Sequence, residues 1–232
     1  MHQIQAMSDD QAAILDAVKR TCAAFDDEYW ARTDEKGDWP EAFCDAMKLR
    51  NALGVGHSTG GVVMSLLADT RRDIFERLTL LEPMVTVNEK FQRMVSARAT
   101  SPRRTWGSRP ELYDYLKTHR MTGRWREDVI RDIVTHEAME LPDGRLDMKW
   151  SPDSMKWSER EGDYLDLKPI FRRLDMPILF ISSEGRADGF VELDPVMAEL
   201  PDFSMLKIHD TEHNMYMNRP DAISWAINAF VQ

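Results

Sequence analysis

The sequence predicts an α/β fold built on a short parallel sheet, and three observations predict it. Short apolar runs of strand length begin near Asn51, Arg77, Pro177 and Phe203. Helical patterns separate these runs, and strands that alternate with helices form parallel sheets. Between the first run and its helix stands Gly56-His57-Ser58-Thr59-Gly60. A G-x-S-x-G between a strand and a helix is the setting of a nucleophile elbow, where the chain turns so sharply that small residues must flank the serine. Gly61 lets the new helix pack closely on the strand.

In chain order, residues 1–50 read as helix. Ser8 and Gln11 have the spacing of a capping box, and Ile14, Leu15, Val18, Cys22 and Phe25 recur at helical intervals. Thr33 to Asp38 is a polar turn, and Trp39-Pro40-Glu41 opens a second short helix running through Met47. No run before Asn51 has the β-branched character of a buried parallel strand. Asn51 to Gly56 is the first strand, Thr59 to Ala68 its helix, and Leu78 to Leu81 the next strand, ending at Glu82-Pro83. From Asn88 to about Asp175 the patterns are helices and loops with no core strand, as in a lid inserted between two sheet strands. In this stretch Val87 to Ala99 is helical, Pro110 opens a helix and Trp125 to Ile133 marks another. Leu141-Pro142-Asp143-Gly144 is a turn, and Asp147 to Trp157 is irregular. Trp106, Trp125, Trp150 and Trp157 either line a pocket or pack a small helical layer. Ile178 to Ser182 is a strand, Glu184 to Gly189 a loop, Val191 to Leu200 a helix and Phe203 to Ile208 the last strand. A loop carrying His213 leads to a closing helix from Arg219 to Val231.

Composition narrows the functions. The 232 residues carry a formal net charge of −10, with 43% hydrophobic and 30% charged residues. That balance suits an ordinary globular protein and argues against a nucleic-acid partner, and a small-molecule substrate is expected only from the resemblance given below. Cys22 and Cys44 fit neither a metal site nor a disulfide framework, and Cys44 reads as a core residue. No signal peptide or membrane-length apolar run is evident, so a cytoplasmic setting is expected and no membrane partner.

From Leu49 onward the chain resembles the α/β-hydrolase family. The resemblance rests on Val55-Gly56-His57-Ser58-Thr59-Gly60-Gly61 at the elbow and on Arg77-Leu78-Thr79-Leu80-Leu81-Glu82-Pro83. It continues in Met176-Pro177-Ile178-Leu179-Phe180-Ile181 and in Glu212-His213-Asn214 followed by Arg219-Pro220. It implies a hydrolase-like domain over residues 49–232 with a helical lid at 88–175, and a serine hydrolase acting on an ester-like or related acyl bond. Ser58 would be the nucleophile and His213 its base. The acid that orients His213 is expected to be Asp188, with Glu82 and Glu184 as the other candidates. No cofactor and no metal are implied. Thr59 N–H would be one oxyanion donor. The second normally comes from a loop after an earlier strand, which this sequence lacks, so the sheet is expected to be partial and turnover low. Its Asn51–Gly56 edge is then open to a homo-oligomeric contact.

Residues 1–48 form a separate helical segment in this reading. Ser8-Asp9-Asp10-Gln11, Ala13-Ile14-Leu15 and Asp34-Glu35-Lys36-Gly37-Asp38-Trp39-Pro40 ahead of Phe43 and Met47 resemble the N-terminal helices of acyl-CoA dehydrogenases. The flavin-binding parts of that family have no counterpart, so no flavin is expected. A non-catalytic fusion or oligomerising module is the competing reading.

Overall fold

Alternating strand and helix patterns become a single parallel sheet in the computed structural model, which describes residues 16, 20, 39–86, 93, 103–149, 166–184, 200 and 202–232. Helix α1 (Trp39–Ala46) leads into β1 (Ala52–His57), α2 (Thr59–Thr70) and β2 (Phe75–Leu81). There follow α3 (Arg109–Thr118), α4 (Glu127–Asp132), a π-helical turn at Ile133–Glu137, β3 (Ala138–Glu140) and β4 (Leu146–Met148). The chain ends with α5 (Lys168–Phe171), β5 (Ile178–Ser183), β6 (Phe203–Ile208), α6 (Met215–Asn218) and α7 (Pro220–Val231).

Strands β1, β2, β5 and β6 lie side by side in that order, all parallel. The inner pair accounts for the most apolar runs: all six residues of β5 and the last four of β2 are buried, as strands covered on both faces must be. One face packs Leu78, Leu80, Ile178 and Phe180 against α2 and α5. The other packs Leu81, Leu179 and Ile181 against Met215, Ile223 and Ala226 of α6 and α7. Each such large side chain contributes about 1.5–3 kcal/mol when fully buried. Cys44 lies in the first of these cores, as its sequence context suggests.

The four predicted strands are all present, with β2 beginning at Phe75, earlier than its apolar run alone indicates. Its first turn of sequence, Phe75-Glu76-Arg77, alternates because only one side of the chain is covered there. Between β2 and β5 a separate small core joins Trp106, Leu112, Leu116, Ile130, Val134, Ala138 and Leu146. Helix α3 starts where expected: Ser108 Oγ accepts from the Glu111 N–H at 3.3 Å, and the Glu111 carboxylate accepts from Gly107 N–H at 2.7 Å. The stretch predicted to be irregular instead begins with β4, which pairs antiparallel with β3 across the Leu141–Gly144 turn. Three-residue strands are too short to show a period, and cross-strand pairing alone defines them.

Among the described residues no strand precedes β1, and β1 pairs on one side only, with β2. Val55 on this strand is 44% exposed. The expected helix at residues 87–99 (Arg93, which is helical, apart), the helix at 191–200 (Leu200 apart) and most of the segment 1–38 lie outside the described residues, although Asp16 and Arg20 are helical and ion-paired. No helix among the described residues is long and apolar enough to cross a membrane.

Candidate active site

Parallel strands deliver their carboxyl ends to one edge, and that edge is where the chemistry-bearing residues collect. His57 at the end of β1 pairs with Leu81 at the end of β2. The residues that come next, Ser58 and Glu82, therefore emerge side by side. Strand β5 runs two residues beyond its pairing with Leu81 and ends at Ser183 opposite Ile208 of β6. The loop that follows Ile208 carries His213.

Ser58 sits at φ 52° and ψ −118°, a conformation side-chain-bearing residues rarely adopt. Backbone bonds on either side hold it there. Ser58 N–H donates to Leu81 O at 3.0 Å, extending the ladder past the strand, and Ser58 O accepts from Val62 N–H at 3.2 Å, starting α2. The glycines that permit the turn are Gly56 and Gly61. A Cβ on Gly56 would lie 2.7 Å from Gly60 O and Gly61 Cα, and one on Gly61 would lie 2.8 Å from Pro83 Cβ. Gly60 departs from expectation: a Cβ there meets nothing within 4 Å, so crowding does not require glycine at that position. Thr59 opens α2, so its N–H belongs to the first turn, which has no acceptors within the helix.

His213 is held from two sides. Its Nδ1 lies 2.8 Å from Glu82 Oε2, and the Glu82 side chain is completely buried. The other carboxylate oxygen of Glu82 accepts from Ser183 N–H at 2.7 Å and from Ser183 Oγ–H at 2.6 Å. Burial pushes the Glu82 pKa up, but the hydrogen bonds from His213 and Ser183 outweigh it and hold the group below the usual glutamate value. An ionised carboxylate only accepts, so in a neutral His213 the proton sits on Nδ1 and the lone pair on Nε2. On the other side, Arg124 pairs with Asp210 and Glu212, Arg126 N–H donates to Met217 O at 2.9 Å, and Asn218 Nδ2 donates to Arg124 O at 2.9 Å. The segment between β2 and β5 thus braces the histidine loop.

The carboxylate found on His213 is Glu82, while Asp188, the acid favoured from sequence, lies outside the described residues. Glu184 is committed elsewhere: it accepts from His209 Nδ1 at 3.2 Å and from Asp210 N–H at 2.8 Å. The sequence signal for Glu82 is its place at the end of the strand that follows the elbow helix. Ser183 carried no comparable mark in the sequence. Trp106 packs within the small helical core and Trp125 packs against it, while Trp150 and Trp157 lie outside the described residues. Among the described residues no cluster of His, Cys, Asp or Glu is arranged to hold a metal ion.

Known proteins agree with this architecture. The profile described as "Alpha/beta hydrolase family" matches residues 12–224, a span that takes in most of the segment resembling acyl-CoA dehydrogenases. Among solved structures, E-2-(acetamidomethylene)succinate hydrolase superposes with a TM-score of 0.69 at 19% identity, over 84% of this chain and 71% of that one. An alpha/beta hydrolase from Novosphingobium aromaticivorans gives 0.63 at 16% identity, over 82% of this chain and 68% of that one. An esterase from Mycobacterium tuberculosis gives 0.56 at 19% identity, over 76% of this chain and 59% of its own. No curated protein sequence matches. At these identities the superpositions speak for the fold, and the profile speaks for descent. The chain belongs to the alpha/beta hydrolase family.

Proposed function

We propose that this chain is a serine hydrolase that cleaves an ester-like or related acyl bond of a small molecule through an acyl-enzyme. The observation that carries the reading is the 2.8 Å contact of His213 Nδ1 with the buried Glu82 carboxylate, made beside a strained Ser58 elbow. Ser58 Oγ attacks the carbonyl carbon as His213 Nε2 takes its proton. That proton then passes to the departing alkoxide or its equivalent, leaving the acyl group on Ser58. Water, deprotonated by the same nitrogen, attacks the acyl carbon and returns Ser58 as the acid departs. Glu82 keeps His213 in the required tautomer and stabilises the imidazolium. Thr59 N–H, at the start of α2, supports the oxyanion. The name of the Mycobacterium tuberculosis neighbour, an esterase, agrees with this bond class. The assembled His213–Glu82 pair supports an enzyme over a non-catalytic fusion. We place the chain in the cytoplasm.

A fluorophosphonate probe is expected to label the folded protein, with the adduct mapping by mass spectrometry to the peptide that contains Ser58. A folded protein that takes no label, or takes it elsewhere, overturns the reading.

We further propose that two copies associate along β1, whose outer side is unpaired among the described residues and whose Val55 is exposed. Size-exclusion chromatography with light scattering is expected to give a dimer that Val55→Lys weakens. A clean monomer at high concentration excludes it.

A further inference from the structure

His57, at the elbow, touches the base loop directly. Its Nε2 lies 2.9 Å from the backbone carbonyl oxygen of His213. A carbonyl oxygen only accepts, so His57 carries a proton on Nε2 and, when neutral, leaves Nδ1 bare, the opposite tautomer to His213. The two rings lie 4.5 Å apart, tilted by 44°, and the Tyr216 ring meets His57 edge-on at 4.9 Å and 73°. The contact spans 156 residues of sequence and joins the end of β1 to the loop after β6.

We propose that His57 is a positioning residue: its Nε2–H holds the His213 main chain and so sets the distance between the base and Ser58. The proposal rests on the reading of Ser58 and His213 given above. Glu82 orients the His213 ring at Nδ1, and the His57 bond holds the main chain that carries the ring. The groups facing His57 are His213, Glu82 at the end of β2 and Tyr216 on α6. Burial holds His57 below the usual histidine pKa, and the charge of a protonated His213 lowers it further. The bond to the His213 carbonyl and the Glu82 carboxylate act the other way. His57 is therefore neutral in the working protein, with its donor intact.

A pH signature follows. The unfolded chain takes up a proton at His57 near the ordinary value of 6.5, whereas the folded site does not until a lower pH. Between those values the unfolded state binds more protons, so stability rises with pH there. This contribution is undiminished above pH 6.5 and is lost as pH falls below it.

Two substitutions test the proposal. His57→Phe keeps a ring against His213 and Tyr216 but has no donor, and His57→Gln restores an amide N–H at similar reach. Phosphonylation of Ser58 and kcat for an activated ester are both expected to fall by about 10²-fold in His57→Phe, with KM little changed. His57→Gln is expected to recover most of that loss, and both variants should lack the stability loss that begins below pH 6.5. Nitrogen chemical shifts of the wild-type His57 imidazole at neutral pH are expected to report a neutral, Nε2-protonated ring. Equal labelling rates in wild type and a folded His57→Phe overturn the proposal. So does an Nδ1-protonated or charged His57, a readout that holds even if His57→Phe does not fold. Failure of the wild type itself to label at Ser58 would instead reject the nucleophile assignment on which the proposal rests.

Discussion

Ser58→Ala is expected to lower ester turnover by about 10⁶-fold, the scale seen when a triad nucleophile is removed. The hydroxyl is the only protein group in the proposed mechanism that bonds to the substrate carbon. The loss should come without collapse of the site, because the bonds that hold residue 58 in place run through its backbone, to Leu81 O and from Val62 N–H. A second substitution separates chemistry from strain. At φ 52° a β-carbon is strained, so Ser58→Gly is expected to be more stable than Ser58→Ala by about 1 kcal/mol, after the entropy cost of glycine, while equally inactive. Denaturant unfolding of the two variants measures the difference. Equal stabilities would show that the elbow stores no strain, and turnover in Ser58→Ala close to wild type would remove the serine from the mechanism.

Glu82→Gln is expected to lower kcat by about 10⁴-fold with KM nearly unchanged, because the amide leaves the shape of the site intact but no longer enforces the tautomer of His213. Ser183 donates twice to one oxygen of residue 82, from N–H and Oγ–H, which calls for an acceptor there. The glutamine amide must then turn its NH₂ toward His213 Nδ1, where a proton already sits. The same carboxylate links stability to acid. Its folded pKa is depressed below the ordinary 4.5, so its contribution is fully present above that value and is lost as pH falls through the folded pKa. The gap in stability between wild type and Glu82→Gln should accordingly narrow below about pH 4.5, as followed by unfolding midpoints across an acid series. If Glu82→Gln keeps kcat within tenfold while Asp188→Asn abolishes it, the acid is Asp188.

Much of this architecture was legible in the sequence because it is locally encoded. Apolar runs long enough to be buried on both faces identified β2 and β5, and turn chemistry identified the sharp strand-to-helix turn at Ser58, since Gly56 and Gly61 stand where a β-carbon would strike Gly60 and Pro83. The order of strand, loop and helix also put His213 at the same edge as Ser58, because parallel strands leave every carboxyl end on one side. The acid was not determined in this way. Glu82 and Asp188 both follow strands, and local pattern says nothing about which one meets the histidine. Tertiary structure decided the contact seen at His213 by setting the register: Leu81 aligns with His57, and β5 continues past it to Ser183, 101 residues from Glu82 in sequence. That geometry buries the Glu82 carboxylate between Ser183 and His213, where only a fully hydrogen-bonded charge is tolerated. The contact of His57 is of the same kind: in sequence it is a neighbour of Ser58, and only the fold brings the His213 carbonyl, from across the sheet, onto its ring nitrogen.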